Sequence, residues 1–416
     1  MKLKLTRQEK AWILYDVGNS AFVLMVATIV PIYFNYLAGL SNISQVDYLA
    51  YWGYAASAAT LIVAMIGPVF GTLADTRNFK KPIFIVSIAV GAIGCAVLGL
   101  IQSWFAFLAV FVIAKVGYSS SLVFYDSMLT DISDEERLDA VSAQGYAWGY
   151  IGSCIPFVVS LVFVLGAEQF GFTMNRAMMI AFLITAAWWV IMSLPLLKNY
   201  HQKHYVEVNG QVFKRSFGRL FDTLRNIKKE KKVFLFLVAF FFYIDGVYTI
   251  IEMATAYGQA LGLDSTGLLG ALLLTQIVAF PCSILFGRLV HKYHPEKLIT
   301  ICIMAYSGIA VFGLFLNTQW QFWVLAVCVG MFQGGIQALS RSYFARIIPA
   351  EKSGEYFGIL DICGKGASFL GTTLVGAVSQ ITGSVNVGVG ALILLFLAGL
   401  IVFGMAARIP LTNSRE

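Results

Sequence analysis

Charge is what this chain has least of. Asp, Glu, Lys and Arg make up only 12% of its 416 residues, against about 25% in a soluble domain. That scarcity excludes a soluble globular protein. The six cysteines, Cys95, Cys154, Cys282, Cys302, Cys328 and Cys363, all fall inside apolar runs. They read as small core residues and exclude a disulfide or zinc framework. Histidine is rare, and His201-x-x-His204 and His291-x-x-His294 lack supporting carboxylate or cysteine ligands, so no metal and no cofactor is expected. Gly358-x5-Gly364-Lys365 is one residue too long for a phosphate loop. The acidic stretch Asp131-Ile-Ser-Asp134-Glu135-Glu136-Arg137 has no aspartate-rich twin of the kind a membrane transferase needs. It is expected to cap the helix that follows and to touch neighbouring loops. With no nucleophile–base pair either, a membrane-embedded enzyme is the weakest of the functional readings.

Apolar residues supply 59% of the chain and mean hydropathy is +0.78. Runs of about 20 apolar residues, each long enough to cross a bilayer, recur almost end to end. The reading is an all-α integral membrane protein with twelve transmembrane helices in two six-helix pseudo-repeats. Spans are expected near Ala11–Ala38, Leu49–Ala74, Pro82–Ile101, Trp104–Leu129, Leu138–Leu165 and Arg176–Leu197. A second set follows near Val233–Gly258, Leu268–Val290, Leu298–Leu316, Trp320–Ile347, Tyr356–Ile381 and Val387–Ala407. The expected division is 1–198, a basic linker over 199–232, and 233–416. No cleavable signal is evident, so the first span is expected to stay.

The net charge of +7 comes from bases in loops on alternate sides, which is the positive-inside bias rather than a nucleic-acid footprint. It places both termini and the middle loop in the cytoplasm of a multi-pass inner-membrane protein. In the middle loop, Phe213, Phe217, Leu220, Phe221, Leu224 and Ile227 recur at helical spacing among Lys214, Arg215, Arg219 and Arg225. That pattern is an interfacial helix on an anionic leaflet.

The halves repeat at one offset. Phe70-Gly71-x-Leu73 matches Phe286-Gly287-x-Leu289, at a separation of 216 residues (287 − 71), and Lys81 and Lys297, Trp104 and Trp320, and Glu135 and Glu351 keep the same register. Parallel six-helix repeats produce such a pattern. Small-residue pairs, Gly67-x-x-x-Gly71 and Gly145-x-x-x-Gly149, are expected to let helices approach closely.

Ionisable groups inside spans are costly and are functional candidates by default. The seventh span carries Asp245, Thr249 and Glu252 on one helical face, with the carboxylates roughly 10 Å apart along the axis. The first span has Asp16, Asn19 and Ser20, the fourth Lys115, Ser119 and Asp126, the tenth Gln333, Gln337 and Arg341, and the eleventh Asp361 and Lys365. Each set has spacings that share a face. Asp361 and Lys365 are placed to neutralise each other. Five acids face three bases across these spans, so at least two carboxylates are expected to lack a base if all are ionised and buried, and such a carboxylate can take up a proton.

Twelve helices around a basic middle loop resemble the major facilitator superfamily. Its signature between the second and third helices matches Gly71-Thr-Leu-Ala-Asp75-Thr-Arg77-Asn-Phe-Lys80-Lys81, with Thr76 where a base is usual and Asn78 where a glycine is usual. Tyr15-Asp16-Val17-Gly18-Asn19-Ser20-Ala21-Phe22 and Asp245-Gly246-Val247-Tyr248-Thr249-Ile250-Ile251 resemble the fungal autophagy-related vacuolar amino-acid effluxers and their bacterial relatives. The resemblance implies a secondary transporter working by alternating access, acting as a monomer, moving a small polar solute such as an amino acid and coupled to protons. Asp245, Glu252 and Thr249, with Asp16 and Asn19, are the expected cation or proton groups. Lys115, Gln333, Gln337 and Arg341 are expected to recognise anionic or polar groups. Gly71, Asp75, Arg77, Lys80 and Lys81, with Asp361 and Lys365, are expected to gate. A sugar, peptide or lipid-linked headgroup is the alternative cargo, suited by Tyr15, Tyr33, Tyr36, Tyr243, Tyr248 and Tyr257.

Overall fold

The computed structural model describes residues 4–43, 45–207 and 212–410. The side chains at 45–50, 212–214, 217, 255–256, 265–266 and 365–369 fall outside that description. Lys365, Phe213, Lys214 and Phe217 are therefore expectations whose side chains lie outside the described residues.

In lipid every backbone N–H and C=O must be satisfied within its own segment, so an apolar chain folds as helices. The first half contains α1 (Arg7–Leu40), α2 (Gln45–Ala74), α3 (Lys80–Leu98), α4 (Trp104–Ile132), α5 (Leu138–Leu165) and α6 (Met174–Asn199). The second half contains α7 (Lys231–Ala260), α8 (Ser265–Leu289), α9 (Pro295–Gly313), α10 (Gln319–Ile347), α11 (Ser353–Thr382) and α12 (Val385–Ala407). Among the described residues, eleven of these helices are long and apolar enough to cross a membrane. The remaining one, α11, has 30 residues, and its polarity comes from Glu355, Asp361 and Lys365.

Packing repeats as the sequence register does. In the first half α1 lies against α5 and α6, α2 against α4, and α3 against α4 and α6. In the second half α7 lies against α11 and α12, α8 against α10, and α9 against α10 and α12. Across the halves α2 meets α11, and α5 meets α8 and α10.

Two local features have clear causes. Helix α1 starts with a capping box in which Thr6 and Glu9 satisfy each other's backbone N–H. It then breaks at Thr28, where φ −132° and ψ −71° leave the helical range. Pro31, three residues on, has no N–H to return to the carbonyl of Ala27. In the turn between α2 and α3, Asn78 has φ +65°, a left-handed conformation that asparagine tolerates.

Two expectations need correcting. Gly67 has open space where a Cβ would stand; the close approach of α2 to α11 is made by Gly71 against the carbonyl of Gly354 and by Gly358 against Pro68. Gly145 and Gly149 do seat α5 on α1, against Trp12, Asp16 and Ser20. The acidic stretch does not cap α5 with a side chain. Its Asp131 is buried instead and takes bonds from Tyr200 Oη (2.5 Å), His204 N (2.9 Å) and Lys203 N (3.3 Å). Those donors lie at the end of α6 and the start of the linker, so the carboxylate is spent there.

Between the halves runs a linker helix, Val212–Asn226. Leu220, Thr223 and Ile227 turn inward, while Phe221 and Leu224 are exposed.

Candidate functional site

The halves are fastened at the end of the bundle that carries the linker. Asp75 closes the turn after α2 and is fully buried. Its Oδ1 accepts from the N–H of Gly354 (2.8 Å) and its Oδ2 from that of Glu355 (2.9 Å). These are first-turn amides of α11, where the helix dipole favours an anion. Lys80, also fully buried, donates to Ser353 Oγ at 2.9 Å and lies 3.6 Å from Asp75 and 3.7 Å from Asp131. Burial pushes the Asp75 carboxyl up to about 6, and the Lys80 ammonium pulls the other way. From the linker helix, Arg219 pairs with buried Glu355 at 3.1 Å and donates to the carbonyl of Thr72. Arg77, expected to gate, is instead at the surface, paired with Glu207 at 3.4 Å and stacked on Tyr205. Its guanidinium does not reach α11. Lys81 is half-buried one residue beyond Lys80.

One layer deeper, Arg341 on α10 crosses to the first half. Its Nη1 is 2.9 Å from Asp126 Oδ1 and 3.8 Å from Asp16 Oδ2. Its Nε donates to Ser142 Oγ (2.9 Å) and its Nη2 to the Ser142 carbonyl (3.0 Å). The guanidinium also stacks on Tyr146, Trp12 and Tyr125, at 4.3, 4.6 and 5.4 Å from the ring centroids. Beside it Arg346 pairs with Asp139 at 2.5 Å, and Ser342 donates to the same carboxylate. Arg341 and Asp16 were expected to meet cargo or a proton, and Asp126 was expected only to share a face with Lys115. The geometry places all three in the contact that shuts this end, because a planar guanidinium is the side chain that can serve two carboxylates and a serine at once.

Toward the middle of the bundle the two halves face each other with polar side chains. Lys115 on α4 is half-buried beside Phe111. It lies within electrostatic reach of Glu252, which is exposed on α7. Tyr248, one turn before Glu252, lies within reach of Asp126, Asp361 and Glu252. Tyr118, Tyr146 and Tyr150 of the first half lie within electrostatic reach of it. Buried Gln333 lies beside Tyr150, and Gln333 Oε1 and Tyr150 Oη are without a hydrogen-bond partner among the described residues. Gln337 and Asp361 are half-buried. These tyrosines were mostly absent from the sequence reading. Their signal was the pairing of Tyr146 and Tyr150, four apart on α5 and each one residue after a glycine, which puts them on the face next to the one that meets α1.

Asp245 stands apart. It shares a helical face with Glu252 but is fully buried between α7 and α11. Oδ1 accepts from the N–H of Gly371 (3.0 Å) and from Thr249 Oγ1 (3.3 Å), while Oδ2 has no hydrogen-bond partner among the described residues. Asp16 has the equivalent seat. It lies on the first helix of its half against a glycine of the fifth, Gly149, as Asp245 lies against Gly371. Asp16 has a base in Arg341; Asp245 makes no ion pair among the described residues. Asn19, buried, donates to the carbonyl of Tyr15 on its own helix. Among the described residues no cluster of His, Cys, Asp or Glu could hold a metal.

A family model described as "Vacuole effluxer Atg22 like" matches residues 39–137 and 130–409. The chain belongs to this Atg22-like family of the major facilitator superfamily. It is 40% identical over 407 residues to the MFS-type transporter YxiO of Bacillus subtilis, covering 97% of this chain and 95% of that one. It is 20% identical over 460 residues to autophagy-related protein 22 of Kluyveromyces lactis, covering 95% and 92%. Among solved structures, the major facilitator transporter FucP in its outward conformation superposes with a TM-score of 0.72 at 12% identity, over 97% of this chain and 98% of that one. An outward-facing bacterial homologue of ferroportin superposes at 0.69 and 12% identity, over 97% and 99%. The Atg22-like chain is thus a multi-pass membrane transporter with the major facilitator fold.

Proposed function

We propose that this transporter moves a small zwitterionic solute, an amino acid, by alternating access, and that Asp245 carries the coupled proton. One observation bears most of the weight: Asp245 is fully buried, both its hydrogen bonds fall on Oδ1 while Oδ2 has none, and it makes no ion pair among the described residues. An ionised carboxylate so placed is expensive, and a protonated one is not. The site therefore suits a proton that is loaded and released as the helices move. Glu252 and Lys115, on facing halves, offer opposite charges to the amino and carboxyl ends of an amino acid. Gln333 and Tyr150, side by side on the two halves, offer it polar contacts. The family description as a vacuole effluxer fits solute transport and names no solute. With the linker read as cytoplasmic, the ion pairs that fasten the linker end support an outward-facing reading of this arrangement.

A sugar is the second reading, favoured by the four tyrosines, Tyr118, Tyr146, Tyr150 and Tyr248, that line the middle. Proteoliposomes loaded with a pH gradient decide between them. Saturable accumulation of at least one labelled amino acid that collapses with the gradient is expected. Flux confined to sugars, or none for any amino acid, would sink the first reading.

A further inference from the structure

Helices α1 and α6 separate near the linker end and leave a cavity of about 480 Å³. They are held close on one side, where Gly18 packs against Met192 and Trp189. They are bridged on the other, where Gln8 Nε2 donates to the carbonyl of Asn199 at 3.2 Å. Between these points two stripes face each other, Arg7, Lys10 and Leu14 on α1, and Ile191, Leu194 and Lys198 on α6. The spacings of three and four put each set on one helical face. In both stripes the bases come at the linker end and the apolar residues toward the middle of the bundle. Ile191 and Leu194 are exposed, at 59% and 42%, on a helix that spans the bilayer. None of the described residues that line the groove is a carboxylate. Glu9, on α1, is buried and paired with Arg137 at 2.7 Å.

We propose that this groove is a binding site for an anionic phospholipid. Three bases at the membrane boundary match a phosphodiester, and the apolar stretch beneath matches the start of an acyl chain. Basic pockets between spans bind anionic headgroups in this way, with the stems of Lys and Arg lying along the apolar wall while their charges reach the interface. Neither a free anion nor a neutral lipid uses both parts. The occupant would brace α1, the helix that presents Asp16 to Arg341.

Thermal unfolding of the detergent-purified full chain tests the assignment. A ligand that binds the folded state raises its stability. Phosphatidylglycerol should raise the midpoint by on the order of 3 °C more than phosphatidylcholine, and inorganic phosphate should leave it unchanged. The combined variant Arg7→Gln, Lys10→Gln, Lys198→Gln should abolish the difference between the lipids. Lys228→Gln with Lys229→Gln, in the exposed linker, should keep it. An equal shift from inorganic phosphate, a groove variant that keeps the difference, or a linker variant that removes it would each overturn the proposal. Native mass spectrometry of the unmodified chain gives an answer even if the triple variant fails to fold. Phosphatidylglycerol should remain bound after phosphatidylcholine has dissociated, and equal release of both would count against the site.

Discussion

Arg341 on α10 and Asp126 on α4 meet at 2.9 Å across the two halves, with Asp16 and Ser142 sharing the same guanidinium. The pair can exist only while the linker ends are together. Removing one member of a buried pair costs about 3–5 kcal/mol, and here that cost falls on the closed arrangement alone. Arg341→Gln should therefore shift the population toward separation at the linker end. Spin labels at exposed positions 136 and 351 would read it as a longer distance. Adding Asp16→Asn and Asp126→Asn should recover part of the closed population. An unchanged distance distribution in Arg341→Gln would remove Arg341 from the closure.

Asp75 gives this closure a pH dependence. Burial at the α11 amides lifts its carboxyl to about 6, above the ordinary value near 3.9. Because the value is raised, protonation favours the closed state. Its contribution is complete below about 4, falls as pH rises through about 6, and is flat beyond. Lys80, Asp131, Arg219 and Glu355 surround it, and His204 touches Asp131 at 3.1 Å. Lowering pH from 7 to 5 should shorten the distance between the same labels. Asp75→Asn should flatten the response and His204→Gln should leave it in place. A pH response that persists in Asp75→Asn and disappears in His204→Gln would assign the titration to the histidine.

Glu355 depends on the linker for its only base among the described pairs. It is fully buried, Arg219 meets it at 3.1 Å, and Glu355 Oε1 has no hydrogen-bond partner among the described residues. Arg219→Ala should lower stability by about 3 kcal/mol. Glu355→Gln added to it should restore most of the loss, since a neutral amide is cheaper to bury than an unpaired charge. A double variant no more stable than Arg219→Ala would mean that the pair contributes through packing alone.

The sequence exposed the repeat because apolar spans and a 216-residue register survive without any long-range information. The intramembrane charges were visible for the same reason: each stands out in an apolar run. Partners were not visible. Arg341 looked like a cargo residue because its helix face is polar, and only the folded packing shows α4 and α5 holding it. Arg77 looked like a gate because it lies in a motif, and the turn at Asn78 sends it to the surface while Lys80 turns inward. The seat shared by Asp16 and Asp245, each against a glycine of the fifth helix in its half, needed coordinates because the two glycines sit at different spacings from the aspartates.

That seat yields the sharpest separation of coupling from stability. Asp245→Asn keeps an oxygen to accept from Gly371 N and Thr249 Oγ1, so the fold should change by less than about 1 kcal/mol. It removes the proton, so gradient-driven accumulation should vanish while exchange of solute across the membrane continues. Gly371→Ala acts differently. Its methyl would stand against Thr249 Oγ1 and 2.7 Å from Asp245 Oδ1, forcing α7 and α11 apart at a cost of about 1–3 kcal/mol. Exchange and accumulation should then fall together, with a lower unfolding midpoint. Comparing the ratio of accumulation to exchange in the two variants distinguishes a proton carrier from a packing residue. If Asp245→Asn still accumulates solute against its gradient, the proton is carried elsewhere, and Glu252 on the same helical face becomes the carboxylate to replace next.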